Sequence, residues 1–106
     1  MKKLYNLTTT WGTTEKVYVR KDTYLMDGTL AVQLICEDSI PYATITRHVE
    51  VKPSKKNCAF IKSYSENAGI EEFLLANKIA TPTGRTYTSG FVVLPEYEFD
   101  LSKLEK

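Results

Sequence analysis

Apolar and polar residues alternate along much of the first half of the chain, a pattern typical of strands that are buried on one face. Residues 15–21 alternate in this way, and residues 4–10 are rich in β-forming side chains. Asp27 and Gly28 favour a tight hairpin turn, because both tolerate a positive φ. Residues 29–36 follow this turn and are apolar at nearly every position, which predicts a central strand.

Further strands are predicted beyond this point. Residues 41–51 alternate, and residues 58–62 form a short strand that begins with an apolar run at residues 58–61. Residues 81–90 are rich in threonine, glycine and proline, which predicts a long, turn-rich connection. Residues 91–94 then predict a last core strand, which we expect to stop at Pro95 because proline cannot donate to a strand ladder.

One segment has the periodicity of a helix. Ile70, Phe73 and Leu74 fall at positions i, i+3 and i+4, so they form a single apolar stripe. Ser65 or Ser63 can cap the start of this helix, and Asn77 and Lys78 can end it, since asparagine tolerates the left-handed conformation. The helix is then about three turns long and must be stabilised by packing on the sheet.

These elements predict a single α+β domain over residues 1–106, a mainly antiparallel sheet of about five to six strands with one helix packed on it. We expect the core to span about residues 4–95, followed by a charged tail at residues 96–106. A chain of 106 residues is long enough to close one hydrophobic core. Its apolar fraction of 42% and charged fraction of 25% are those of an ordinary globular protein.

Hydropathy and net charge indicate which cellular location and which class of ligand to expect. No apolar run approaches the roughly 20 residues that span a bilayer, and no apolar segment follows the basic start of the chain. We therefore expect a cytoplasmic protein. The net charge is only +1 and evenly spread, whereas a dedicated duplex-DNA binder usually has a basic excess.

The residue types that support catalysis or metal binding are few. His48 is the only histidine, and its separations from Cys36 and Cys58 match no usual pattern of paired metal ligands. We therefore expect no metal, no cofactor and no catalytic residue. An enzyme or metal protein centred on these three residues is kept as a third hypothesis. The clustered acids are better explained as solvated charges; they are Glu71 and Glu72, and Glu96, Glu98 and Asp100.

Tyrosine is abundant, with seven residues. Several fall at polar-face or loop positions: Tyr18, Tyr42, Tyr64, Tyr87 and Tyr97. Such side chains can anchor a protein interface or stack on bases, and tyrosine is also simply a good strand residue. An alternative function is therefore single-stranded nucleic-acid binding through sheet tyrosines together with Lys16, Arg20 and Arg47.

Three segments are more distinctive: residues 41–46, residues 60–70, and residues 82–86 with 89–92 and Pro95. Over about residues 15–95 the chain resembles a bacterial family, domain of unknown function 4313. Its members are small stand-alone proteins that phages and conjugative elements often encode. The resemblance implies a small accessory protein with no assigned activity to transfer. By analogy with other mobile-element proteins of this size, it would act by binding a host defence or element-encoded protein.

The same motifs suggest where a partner would bind. The candidate residues are Tyr64, Glu66 and Asn67 at the helix start and Arg85 and Tyr87 in the following connection. We predict that they form one exposed patch on a non-enzymatic binding protein. The structural alternative is that the helix-start residues only cap the helix, while Arg85 pairs with a carboxylate such as Glu66.

Overall fold

The computed structural model describes residues 3–8, 12–63 and 69–105, which form two antiparallel sheets, one α-helix and one short 3-10 helix. The strands are β1 (Tyr5–Thr8), β2 (Thr14–Thr23), β3 (Leu30–Cys36), β4 (Pro41–Thr44), β5 (Thr46–Arg47), β6 (Cys58–Ile61), β7 (Ala80–Ser89) and β8 (Val92–Phe99). The α-helix is α1 (Ile70–Ala76), and the 3-10 helix covers Leu101–Lys103. The sheet orders are β1-β2-β3-β4 and β5-β6-β8-β7. The predicted antiparallel architecture with one helix is confirmed, whereas the single sheet of five to six strands is wrong.

Ile45 joins the two sheets. Its backbone N–H donates to the carbonyl of Val32 in β3 over 3.0 Å, and its carbonyl accepts the N–H of Lys62 over 2.8 Å. The chain therefore bends from one sheet into the other between β4 and β5. The alternation over residues 41–51 predicted one continuous strand, which is wrong. Alternation indicates only which side chains share a face, so it does not reveal such a bend.

The main core lies between the two sheets and α1. Ile70, Phe73 and Leu74 are buried in it, as the helical stripe predicted. The helix is shorter than expected: it begins after Gly69, whose φ of 91° is readily adopted only by glycine. Of the two predicted caps, Ser65 lies outside the described residues, and Ser63 is wrong because the helix begins after Gly69 with no side-chain cap. No helix in the described part of the chain is long and apolar enough to cross a membrane.

The predicted connection at residues 81–90 is wrong, because these residues belong to β7. The residues that predicted a turn form a β-bulge within the strand: the register with β8 shifts between Pro82 and Thr86, and Gly84 has a φ of 90°. Pro95 also does not stop the last strand, since it pairs with Thr86 at the end of the bulge. A proline is tolerated beside an irregular stretch of ladder, where a missing donor costs little.

The expected charged tail after Pro95 is also wrong. Tyr97 and Phe99 are only 2% and 1% exposed, and Leu104 packs into the same core. Beyond β8, the backbone N–H of Glu105 donates to the carbonyl of Val19, and the carbonyl of Glu105 accepts from Lys21. The C-terminal segment therefore closes the domain against β2.

Candidate functional site

Strand β8 has two buried faces with different surroundings. Tyr97 and Phe99 belong to the main core between the sheets. Leu94 and Glu96 are both fully buried without being part of that cluster, and Glu96 contacts the loop that precedes β6. A fully buried carboxylate needs hydrogen-bond donors around it, because its desolvation is costly.

Glu96 has such donors. The backbone N–H of Ser54 donates to one carboxylate oxygen over 2.8 Å, and the hydroxyls of Ser54 and Thr83 each donate to the other oxygen over 2.7 Å. The Nη1 atom of Arg85 lies 3.5 Å away. Burial raises the pKa of Glu96, but these hydrogen bonds and the Arg85 charge outweigh burial, so the pKa lies below its ordinary value. The residue is therefore ionised at neutral pH. We call these four residues the Glu96 cluster.

Arg85 also links this cluster to its surroundings. Its Nη1 donates to the backbone carbonyl of Lys52 over 2.7 Å, and its guanidinium carbon lies 5.6 Å from the ring centroid of Phe60. The ring of Tyr87 meets Phe60 edge-on, with centroids 6.1 Å apart. Arg85 does pair with a carboxylate, as the structural alternative proposed, but that carboxylate is Glu96.

The structure thus brings together two of the five candidate residues, since Arg85 and Tyr87 lie over the same aromatic ring. Tyr64, Glu66 and Asn67 lie outside the described residues. The interpretation of Glu96 as a solvated charge is wrong. A sequence signal for its strand existed, because Tyr97 and Phe99 alternate with Glu96 and Glu98, but nothing local indicated that Glu96 is buried.

Beyond the Glu96 cluster, β7 and β8 continue as a hairpin with no buried residue between positions 86 and 93, which we call the hairpin arm. Ser89 pairs with Val92, so Gly90 and Phe91 form a two-residue turn. Gly90 supplies the positive φ, 61°, that a turn of this kind requires at its first position. Phe91 is completely exposed, and Val93 is 55% exposed.

The arm is also uncharged. Residues 86–95 contain no acidic or basic side chain. Strand β7 lies at the edge of its sheet, so one side of its backbone has no strand partner among the described residues. Natural edge strands are usually protected by charges, prolines or bulges, and in β7 such features lie at the base of the arm: Pro82, the bulge at Gly84, and Arg85.

His48 lies elsewhere, next to the turn between β2 and β3. Its Nε2 is 2.9 Å from Asp27, and its ring meets that of Tyr24 edge-on. Hydrogen bonds from His48 and Thr29 lower the pKa of Asp27 to about 2. Within the described ranges, no group of three or more His, Cys, Asp or Glu side chains is arranged to bind a metal ion.

Both cysteines are free thiols. Burial raises the pKa of Cys36 and of Cys58, which lowers their nucleophilicity at neutral pH. Neither thiol has a hydrogen bond or ion pair with His48 in the structure. The third hypothesis therefore gains no support from this arrangement.

The tyrosines differ widely in exposure. Tyr5, Tyr18 and Tyr97 are at most 6% exposed, so a base could not stack on them without rearrangement. Tyr42 is 37% exposed, and Tyr87 is half-buried. Lys16, Arg20 and Arg47 are exposed, as the nucleic-acid alternative requires, but most of the described tyrosines are buried or half-buried.

Comparison with known proteins adds one finding. No curated protein and no solved structure gives a significant match to the chain. One family model, described as a domain of unknown function, DUF4313, matches residues 19–106. This match includes β3 to β8, α1 and the whole Glu96 cluster, and it extends further towards the C-terminus than the resemblance seen in the sequence. Because the matched region is most of the chain, the protein belongs to the DUF4313 family.

Proposed function

We propose that this chain is a small non-enzymatic binding protein that recognises a partner protein through the hairpin arm. The observation that carries this proposal is the complete exposure of Phe91 at the tip of an uncharged hairpin. An exposed phenylalanine keeps its apolar surface in contact with water, so burial of the ring against a partner would be favourable. Aromatic side chains of this kind frequently dominate binding energy at protein interfaces.

The arm offers two modes of contact to one partner. Phe91 and Val93 supply apolar area, while the unpaired side of β7 can accept an additional strand through main-chain hydrogen bonds. Arg85 and Tyr87 lie at the base of the arm and would border the interface. Arg85 is already held by Glu96 and Lys52, so it would be presented with little further loss of side-chain entropy.

The family resemblance supports a phage or mobile-element setting, in which the partner would be a host defence protein or a protein of the same element. This part of the proposal has a separate test in the gene neighbourhood of family members. A recurrent position among conjugation or anti-defence genes would support it, and a scattered position among housekeeping genes would contradict it.

The partner-binding surface is tested by quantitative affinity capture from a bacterial lysate. We expect the wild-type chain to enrich a specific protein, and we expect Phe91→Ser with Val93→Ser to lose it by about tenfold or more, as for an interface hot spot. The matched control is Leu25→Ser with Met26→Ser, since these residues are 102% and 74% exposed in the turn between β2 and β3. Equal loss in both double variants, or full retention in the Phe91 variant, would contradict the proposal.

Self-association is the competing explanation for an exposed edge strand. Sedimentation of the purified chain across a range of concentrations distinguishes it from recognition of a different protein. A dimer that is lost in the Phe91 and Val93 double variant would show that the arm pairs with its own copy instead.

A further inference from the structure

An open groove of about 550 Å³ lies between the turn that joins β2 to β3 and the loop at residues 52–56. One wall carries Lys52, Lys55 and Lys56 around Pro53. The other wall is formed by the segment from Asp27 to Leu30. Its volume lies within the range of small-molecule sites, about 300–1,000 Å³. The groove is separate from the hairpin arm and contains none of its residues.

The positive charge on the lysine wall is mostly uncompensated. Lys55 lies 3.4 Å from Glu98, but both side chains are exposed, and such pairs are weak. The ammonium groups of Lys52 and Lys56 make no hydrogen bond or ion pair within the described part of the chain. Asp27, on the opposite wall, contacts His48 and Thr29 through its two oxygens and stays ionised, so the groove lining has three lysines and one carboxylate. The groove therefore attracts anions.

The loop at residues 52–56, which we call the lysine loop, is fixed by hydrogen bonds to the rest of the domain. Arg85 binds the carbonyl of Lys52, and Glu96 accepts both the N–H and the hydroxyl of Ser54. At the end of the loop, the N–H of Cys58 donates to the carbonyl of Lys55. A loop fixed at three positions loses little conformational entropy when a ligand binds to it. The Glu96 cluster thus acts as a support that keeps the three lysines together.

We propose that this groove binds the phosphate groups of a ligand that carries at least two of them. Lysine ammonium groups are compact point charges that suit phosphate oxygens, and adjacent phosphates place several negative charges within one groove. An extended acidic peptide fits less well, because successive side chains point to opposite faces and only half of its carboxylates would meet the lysine wall. The phosphates can come from a free polyphosphate compound or from the backbone of a single-stranded nucleic acid.

Titration of the purified chain with inorganic triphosphate and with a labelled oligothymidylate, each at low and at physiological salt, tests this proposal. We expect at least one probe to bind, more weakly at higher salt, and Lys52→Gln with Lys56→Gln to weaken binding about tenfold. Lys21→Gln with Lys78→Gln removes the same charge from residues that do not line the groove and is the matched control. Binding of triphosphate identifies a free phosphate compound as the source, and binding of the oligonucleotide alone identifies a nucleic acid.

Failure of both probes to bind at low salt would overturn the proposal. Equal weakening by the two double variants would do the same, because it would show that only the overall charge matters. Tighter binding of polyglutamate than of triphosphate would assign the groove to acidic peptides instead. Phe91→Ser should leave phosphate binding unchanged, so the outcome is independent of partner recognition by the hairpin arm. Thermal unfolding of each variant shows that it is folded.

Discussion

The two faces of β8 are buried to the same extent but by different means. Tyr97 and Phe99 are surrounded by apolar side chains from both sheets and α1. On the opposite face, Glu96 is equally inaccessible to water, yet it is charged and accepts three hydrogen bonds. The first face is stabilised mainly by removal of apolar surface from water, and the second by a set of directional contacts.

This difference has consequences for both proposals. The apolar face holds the two sheets and the helix together, so its loss would affect the whole domain. The polar face connects three segments that are distant in sequence: the loop at Ser54, the bulge at Thr83 and β8 at Glu96. It therefore fixes the position of the lysine loop and the base of the hairpin arm, the two surfaces to which we assign binding.

The largest expected effect is on the apolar face. Phe99→Ala should lower the free energy of unfolding by about 3–5 kcal/mol, because it removes a fully buried ring and leaves a cavity. Urea denaturation followed by circular dichroism measures this change. Phe91→Ala is the matched control on the same strand pair, and its effect should be within about 0.5 kcal/mol of zero since Phe91 is fully exposed. Similar losses in the two variants would mean that the hairpin arm packs on the domain in solution.

A smaller effect is expected on the polar face. Glu96→Gln keeps the side-chain shape but removes the charge, and it should lower the free energy of unfolding by about 1–3 kcal/mol at neutral pH. The pKa of Glu96 is lowered in the folded state from an ordinary value of 4.5. Its contribution is therefore complete above pH 4.5 and is lost as the pH falls through the lowered folded value. Urea titrations at several pH values should show the gap between wild type and variant closing only below pH 4.5.

Glu98→Gln provides the control for this pH dependence, because Glu98 lies on the same strand with a side chain that is 39% exposed. We expect a change of less than about 0.5 kcal/mol. A gap between wild type and Glu96→Gln that instead widens as the pH falls would show that burial dominates and raises the pKa of Glu96 in the folded chain.

The helix and the early strands of the main core were accessible from the sequence, whereas the burial of β8 on either face was not. The stripe of Ile70, Phe73 and Leu74 and the alternation in the early strands depend on local periodicity, which sequence displays directly. Pro82, Gly84 and Pro95 gave strong turn signals that were overridden, because a bulge in the middle of a long hairpin accommodates all of them. Local propensity is a weak guide where tertiary pairing supplies the missing hydrogen bonds.

The Glu96 cluster could not be predicted for a further reason. Glu96 finds its donors at separations of 42 and 13 residues, in a loop and in a segment that the sequence assigned to a connection. No local pattern distinguishes Glu96 from Glu98 two positions later. Glu98 pairs with Lys55, and its side chain is 39% exposed. What sequence did indicate was that Arg85 would pair with a carboxylate, although the identity of that carboxylate depends on the fold.

The smallest expected effect is the coupling energy between Arg85 and Glu96. A second ion pair, between Lys55 and Glu98, has nearly the same separation but an exposed carboxylate, so the two pairs differ mainly in burial. The Arg85–Glu96 and Lys55–Glu98 pairs are separated by 3.5 and 3.4 Å, but the carboxylate is fully buried in the first and 39% exposed in the second. Double-mutant cycles with Arg85→Ala and Glu96→Gln should give a coupling energy of about 1 kcal/mol, because the buried carboxylate is weakly screened. The same cycle with Lys55→Ala and Glu98→Gln should give less than about 0.5 kcal/mol. Equal couplings would mean that Ser54 and Thr83 satisfy Glu96 without Arg85, and that Arg85 is free to contact a partner.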